Sequence, residues 1–320
     1  MKKMISIIAP MYNEEALVKE YCMEAREMIL SLQNEYDFEL ILINDGSRDE
    51  TYHLMLEEQQ ESPELISVIS LTRNFGLEGA VNAGLKKAVG DAVVVMDADL
   101  QDPLSLIPIM IGKWEDGADI VVGSRIKRSN DRFFKKLGAN IYYKVLDKFS
   151  GKLKLEKSAA NFRLISRKAL IKILSLPEVN TVFRVVVPFV GMKTDVVEYH
   201  RDKRYAGKTK YNLKSMIPYA LDSITSISVE PLRKIYIFIP LLAISFCVSI
   251  ICAIVVTSSI WKVFWLIITA LSVLFGILII TLSIMGEYMA QIMTEVKGRP
   301  ISIIYDYKPS LLAQKSIKGE

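Results

Sequence analysis

Three carboxylates crowd the end of one apolar run. Residues 93–103 read VVVMDADLQDP, so Asp97, Asp99 and Asp102 follow the β-forming stretch from Ala92 to Met96. A buried strand that ends this way delivers acids to its carboxyl-terminal edge, where open α/β sheets bind ligands. Asp97 and Asp99 sit two apart, so in an extended segment they project to the same side and converge on one cation or ligand. A hard cation such as Mg²⁺ or Mn²⁺ takes carboxylate and amide oxygens. Asp99 and Gln101 are therefore a candidate metal pair, with a phosphate completing the shell. That chemistry is diphosphate handling. Asp102 and Pro103 also read as the N-cap and first residue of a helix, but one cap does not need three acids.

The elements that must position these acids alternate in type. Met4 to Ala9 reads as a strand ending at Pro10, followed by Tyr12, Asn13 and Glu14 at the mouth of a helix, with Asn13 as N-cap. Phe38 to Ile43 is a second strand, ending in Asn44-Asp45-Gly46-Ser47. Ile66 to Leu71 is a third and leads into Arg73-Asn74-Phe75-Gly76; the helix after it carries Gly79, Ala80, Ala83 and Gly84, small enough for close approach. Ala92 to Met96 is the fourth strand, and Ile120 to Val122, followed by Gly123-Ser124-Arg125, is the fifth. The pattern predicts an α/β fold with a doubly wound, mostly parallel sheet. Asp45 alone would be a turn residue. Strands one, two and four all end in polar groups at one edge, which points to a shared ligand.

Several function classes drop out. No strand is followed by G-x-G-x-x-G, and Gly207-Lys208-Thr209 has Asp202 where a P-loop needs its upstream glycine. The net charge of +4 is too small to argue for nucleic acid. Cys22, Cys247 and Cys252 offer no disulfide framework and fit a reducing compartment.

Hydropathy divides the chain. Of 320 residues 51% are hydrophobic, and no charged residue lies between Lys234 and Lys262 or between Lys262 and Glu287. Each gap exceeds the roughly 20 residues an apolar helix needs to cross a bilayer. Two transmembrane helices are expected within 235–286, after a domain over 1–211 and an amphipathic interface segment over 212–234, and before a tail over 287–320. Arg233, Lys234, Lys297 and Arg299 flank the pair and only Lys262 lies between, so the domain and both termini are expected in the cytoplasm of a cell with an inner membrane. The N-terminal residues read as a strand, not a signal peptide.

Over about 126–150, basic and aromatic residues interleave, among them Arg132, Phe133, Phe134, Lys135, Lys136, Tyr142 and Tyr143. A solvated amphipathic helix could look like this; two downstream spans favour an interfacial helix resting on anionic headgroups. Arg204, Lys208 and Lys210 surround Gly207 in a loop suited to closing over a diphosphate.

Together these segments resemble family 2 glycosyltransferases of the polyisoprenyl-phosphate type, which include dolichol-phosphate mannose synthases and GtrB-like bactoprenol glucosyltransferases. The resemblance rests on Pro10 with Tyr12 to Glu15, Asn44 to Ser47, Asn74 to Gly76, Asp97 to Pro103, Gly123 to Arg125, Phe162-Arg163-Leu164 and Ala206 to Tyr211. Met285 to Tyr288 and Val296 to Pro300 extend it to the end of the last span. It implies a GT-A fold, with Pro10, Tyr12, Asn13, Glu14 and Asp45 around the nucleoside and Asp97 near the ribose and diphosphate. Asp99 and Gln101 would hold Mg²⁺ or Mn²⁺, and Arg204 and Lys210 the donor diphosphate. Arg125, with Arg132, Lys135 and Arg163, would face the acceptor phosphate, and Asp97, Asp99 and Arg125 would form the catalytic set.

The resemblance further implies inverting transfer of one sugar from a nucleotide diphosphate donor, UDP-glucose or UDP-N-acetylhexosamine, to undecaprenyl phosphate at the cytoplasmic membrane face. The Q-x-x-R-W motif of processive synthases does not occur, which favours a single transfer. The alternatives are a GDP-mannose or modified-arabinose transferase and a silent nucleotide-sugar-binding scaffold; a homo-oligomer and a flippase partner stay open. Two positions depart from the pattern. Asn161 stands where many relatives carry an acid, and Ala139 near a position where they often carry a hydroxyl. Asn takes no proton, but a phosphate monoester with a second pKa of about 6 is largely ionised at neutral pH and needs little base help.

Overall fold

The computed structural model describes residues 2–126, 159–178, 183–201 and 260–318, with isolated positions between 232 and 251. Five apolar runs form β1 (Lys3–Met11), β2 (Tyr36–Asn44), β3 (Ile66–Leu71), β4 (Ala92–Val95) and β5 (Ile120–Arg125). They join β6 (Ala159–Ser166), β7 (Thr194–Tyr199) and β8 (Ile304–Lys308) in one eight-stranded sheet of order 7-5-6-4-1-2-3-8. Four of the seven pairings are parallel. β6 runs antiparallel to β4 and β5, and β8 antiparallel to β3.

Strand periodicity explains the two cores. Ile7, Leu40, Val94 and Phe162 face one side of the sheet, while Ile8, Ile41, Val93 and Ile165, an odd number of residues away in the same strands, face the other. The first face packs against α1 (Val18–Leu32), α2 (Thr51–Glu61) and α4 (Ile107–Glu115). The second packs against α3 (Leu77–Lys87), α5 (Arg167–Leu174) and α6 (Phe183–Phe189). Strands covered on both sides lose polar alternation, which is why β3 and β4 are buried throughout. Small residues bring α3 close to the sheet: a Cβ at Gly84 would stand 2.6 Å from Ile43 Cδ1 and 2.7 Å from Ile8 Cγ2.

β1 pairs with β2 on one side and β4 on the other, so strand order reverses there. The crevice outside the carboxyl ends of β1 and β4 is the topological switch point where such sheets bind ligands. Asp97 and Asp99 lie directly beyond β4.

Several expectations change. The sheet is mostly parallel, as expected, but carries three strands beyond the five expected, β6 being inserted between β4 and β5. Asn13 does not cap α1, which starts five residues later at Val18 after Leu17 with no side-chain cap. Asn13 instead sits at φ 50° in the loop, its Oδ1 accepting from the Arg48 N–H at 2.8 Å. Nor is the end of the chain a simple tail. β8 forms the sheet's edge, and α8 (Leu311–Lys318) follows it.

A buried polar relay fastens that edge. The Ser310 N–H donates to Ser67 Oγ at 2.8 Å, and Ser67 donates to Glu39 Oε1 at 2.8 Å. Ser6 donates to Glu39 Oε2 at 3.0 Å and itself accepts from the Gly90 N–H at 2.9 Å. Burial raises the Glu39 pKa, and the Ser67 and Ser6 hydroxyls oppose the rise.

Before β8 runs a single helix, α7 (Ile260–Lys297), of 38 residues. It contains the expected second span, and within Thr269–Lys297 an 18-residue stretch reaches a mean hydropathy of 2.2. Among the described residues it is the one helix long and apolar enough to cross a membrane. At about 57 Å it overruns a hydrocarbon core of about 30 Å. The expected first span over 235–259, the interface segment over 212–234 and the basic helix over 126–150 lie outside the described residues, apart from isolated positions.

Candidate functional site

The turn after β4 does not continue the strand. Met96 N–H still bonds Ile8 O at 3.1 Å, but Leu100 adopts φ 54°, a left-handed conformation rare for a residue with a side chain. The Gln101 N–H then folds back onto Asp99 Oδ1 at 3.2 Å. Asp97 and Asp99 therefore share one site through a turn, and not through extended-strand alternation.

Asp102 is the hub of the cluster. Its side chain is fully buried, and it accepts from the Tyr199 hydroxyl at 2.6 Å and from Arg125 Nη2 at 2.8 Å. Arg201 Nε stands 3.3 Å from Asp102 Oδ1, the oxygen that also accepts from Tyr199, as an ion pair. The capping role expected of Asp102 and Pro103 is not adopted. Pro103 is extended, a 3-10 turn over Leu104–Leu106 follows without a side-chain cap, and α4 begins only at Ile107. A buried carboxylate is better compensated by two guanidinium groups and a phenol than by one helix end.

Arg125 ends β5 opposite Tyr199, the last residue of β7. Its Nε donates to the Tyr199 oxygen at 3.2 Å, and its Nη2 lies 3.9 Å from Asp97 Oδ2. Burial works against the Arg125 charge, but Asp102 and Tyr199 outweigh it and raise its pKa. Burial, then Asp102, raises the Tyr199 pKa, so the hydroxyl keeps its proton and donates it. The Asp97 pKa is raised by burial first, then by Asp102 and Asp99, with Arg125 and Arg201 opposing. Arg201 Nη2 donates to Asp99 Oδ2 at 3.2 Å. Three carboxylates thus face two guanidinium groups.

These residues fit a hard divalent cation that brings part of its own shell. Asp99 and Gln101 supply a carboxylate and an amide two residues apart, and the described residues hold no cluster of three His, Cys, Asp or Glu side chains able to enclose a metal. Oxygen donors of this type and number suit Mg²⁺ or Mn²⁺ completed by phosphate and water.

The second half of the site is a set of interlocked loops after β1, β2 and β3. Asp45, buried beyond β2, accepts from the Phe75 N–H at 2.7 Å and the Gly76 N–H at 3.0 Å. Burial pushes the Asp45 carboxyl up to about 6, and those two N–H groups oppose the rise. Gly46, at φ 65°, permits the contact, since a Cβ there would stand 2.3 Å from the Arg73 carbonyl carbon. The Asn13 N–H donates to Ser47 Oγ at 3.0 Å and the Glu14 N–H to Thr51 Oγ1 at 2.9 Å. Pro10, Tyr12, Asn13, Glu14 and Asp45 therefore lie at the carboxyl ends of β1 and β2, the same sheet edge as the turn after β4.

Arg163 does not belong to this surface. It is 1% exposed, lies mid-sheet opposite Val95 and Val122, and turns toward α6, where its guanidinium stands 5.5 Å from the Phe183 ring. Arg125 and Tyr199 sit on the other face. Arg132, Lys135, Arg204 and Lys210 lie outside the described residues. Sequence reasoning misses Tyr199 and Arg201. The alternating stretch Asp195 to Tyr199, followed by His200 and Arg201, carries a strand-end signal of the same kind as Gly123-Ser124-Arg125.

Comparison with known proteins shows the family. Residues 6–174 match the family described as Glycosyl transferase family 2. Uncharacterized glycosyltransferase YkcC of Bacillus subtilis (strain 168) is 36% identical over 313 residues, covering 93% of this chain and 92% of that protein. The SfII prophage-derived bactoprenol glucosyl transferase of Shigella flexneri is 38% identical over 317 residues, covering 94% of this chain and 97% of that protein. Among solved structures, mannosyl-3-phosphoglycerate synthase from Rubrobacter xylanophilus has the same fold, with a TM-score of 0.51 at 17% identity over 72% of this chain and 74% of that one. The doubly wound sheet, the acidic turn at its switch point and these full-length relatives lead to one conclusion: the chain belongs to glycosyl transferase family 2 and is a glycosyltransferase.

Proposed function

We propose that this chain transfers one sugar, with inversion, from a nucleotide diphosphate donor to a polyprenyl phosphate at the cytoplasmic face of a membrane, with UDP-glucose as the donor. The observation that carries the reading is the Asp97–Asp99 turn facing Arg125 at the switch point of the sheet. Two further facts support the acceptor. Relatives of matching length are named bactoprenol glucosyl transferases, and α7 is long and apolar enough to cross a bilayer.

Pro10, Tyr12, Asn13, Glu14 and Asp45 hold the nucleoside, and Asp97 lies near the ribose and diphosphate. Asp99 and Gln101 would hold Mg²⁺ or Mn²⁺, which offsets charge on the departing diphosphate when bound. Arg204 and Lys210 assist at the same diphosphate. Arg125, oriented by Asp102 and Tyr199, meets the acceptor phosphate, with Arg132 and Lys135 guiding it from the membrane side. The phosphate oxygen attacks the anomeric carbon as the bond to the nucleoside diphosphate breaks, which inverts the centre. Because that oxygen is already ionised, Asn161 in place of an acid is compatible with turnover. Positioning and charge compensation do the work that a base does elsewhere.

The test is a transfer assay with the full chain in detergent, undecaprenyl phosphate, Mg²⁺ or Mn²⁺, and a panel of labelled UDP- and GDP-sugars. Label in the extracted lipid from UDP-glucose supports the reading, and label from another donor replaces the sugar. Absence of label from every donor, with nucleotide binding intact, overturns it.

A further inference from the structure

Arg201 occupies the approach to Asp99. Its Nη2 donates to Asp99 Oδ2 at 3.2 Å while its Nε stands 3.3 Å from Asp102 Oδ1. One guanidinium thus bridges the carboxylate assigned to the metal and the buried carboxylate beside it. The other Asp99 oxygen accepts from the Gln101 N–H. Arg125 is placed differently: its acid contacts are to Asp102 and Asp97.

We propose that Arg201 is an internal counter-ion that keeps a free divalent cation off Asp99 and yields that carboxylate to a cation arriving with a diphosphate. The proposal rests on the reading of Asp99 as a metal ligand given above.

The exclusion is electrostatic. A bare divalent cation approaching Asp99 must displace a guanidinium and then remain beside it. The Asp99 side chain is 11% exposed and that of Arg201 30%, so solvent screens this repulsion incompletely. A cation carried by a nucleoside diphosphate is a different case, because the phosphates cancel its charge. They also offer Arg201 replacement acceptors of the kind a planar guanidinium binds best. Asp102 supplies the pivot: its side chain is fully buried and held by Tyr199 and Arg125, so Arg201 retains one anchor when it leaves Asp99. Cation and donor then bind with positive coupling, and the metal site fills in the presence of a substrate to act on. Arg201 is in this sense a positioning residue, and its effect is read in metal affinity.

The experiment measures Mn²⁺ binding to the full chain in detergent by electron paramagnetic resonance of the free ion, with and without UDP. The wild-type protein is expected to bind Mn²⁺ weakly alone and about tenfold or more tighter with UDP, the size of effect a part-buried charge pair supplies. R201Q is expected to tighten binding of Mn²⁺ alone about tenfold and to lose most of the gain from UDP, while R201K, which keeps the charge but not the planar fork, falls between wild type and R201Q. Unchanged or weaker Mn²⁺ binding by folded R201Q in the absence of UDP overturns the proposal. D99N separates the two layers. Loss of Mn²⁺ binding in D99N upholds the metal reading whatever R201Q does, whereas wild-type binding in D99N removes that reading and this proposal with it.

Discussion

The Tyr199 hydroxyl donates a 2.6 Å hydrogen bond to Asp102 Oδ1, joining the end of β7 to the turn after β4 across 97 positions of sequence. The same phenol oxygen accepts from Arg125 Nε, so one side chain fixes both the acid hub and the cation assigned to the acceptor.

Y199F removes both bonds and leaves the ring's contact with Phe162 in place. The expected stability cost is about 1–3 kcal/mol, the usual range when a buried hydrogen-bonding partner is lost. Arg125 should become less well oriented, so kcat should fall while the KM for the nucleotide sugar changes little. Steady-state kinetics together with thermal melts check this.

Gly46 is predicted to be intolerant of any side chain. G46A places a Cβ 2.3 Å from the Arg73 carbonyl carbon and 2.5 Å from the Asn74 nitrogen, at a φ of 65°. The loops after β2 and β3 must separate, at a cost of about 2 kcal/mol or more. Calorimetric titration should show nucleotide binding lost along with the fall in melting temperature.

Asp45 gives a signed pH dependence. Its carboxyl is pushed up to about 6 from an ordinary 3.8, so the folded chain holds this proton more tightly than the unfolded chain does. Its contribution is fully present below 3.8 and declines as pH rises through about 6. D45N abolishes that titration and adds only a pH-independent offset. The melting temperature of wild type minus that of D45N should therefore fall as pH rises from about 3.8 through about 6, the window set by those two values. A flat difference would contradict the assignment.

The relay from Ser310 through Ser67 to Glu39 predicts that the chain's last strand is fastened from within the sheet. S67A leaves the Ser310 N–H and one Glu39 oxygen without this partner, which costs about 1–3 kcal/mol. Hydrogen exchange should accelerate in β8 and α8 before it does in β1 or β2.

How much of this is legible in the sequence depends on whether the signal is local. β1 to β5 are readable because burial on both faces leaves mostly apolar runs, interrupted by few polar residues such as Ser6, Glu39 and Ser67, and the acids after β4 stand out against them. β6 is harder, since Asn161 and Arg163 interrupt its run; Arg163 is tolerated because the Phe183 ring and carbonyl receive it. β8 reads IYDYK and looks like a surface loop, because an edge strand covered on one side needs few apolar residues. Asn13 and Asp102 are both misread for one reason. Each has the local chemistry of a helix cap, but a partner distant in sequence, Arg48 or Tyr199, claims the side chain instead. Arg201 is hidden by the same distance, because nothing near it in sequence points to Asp99.

The most direct test of the account is single-turnover transfer from labelled UDP-glucose to undecaprenyl phosphate by the wild-type chain and by D99A, in the presence of Mn²⁺. Label is expected in the lipid phase with wild type, with a loss of about 100-fold or more in rate in D99A, the scale on which a leaving-group stabiliser acts. Unimpaired transfer by D99A would contradict it.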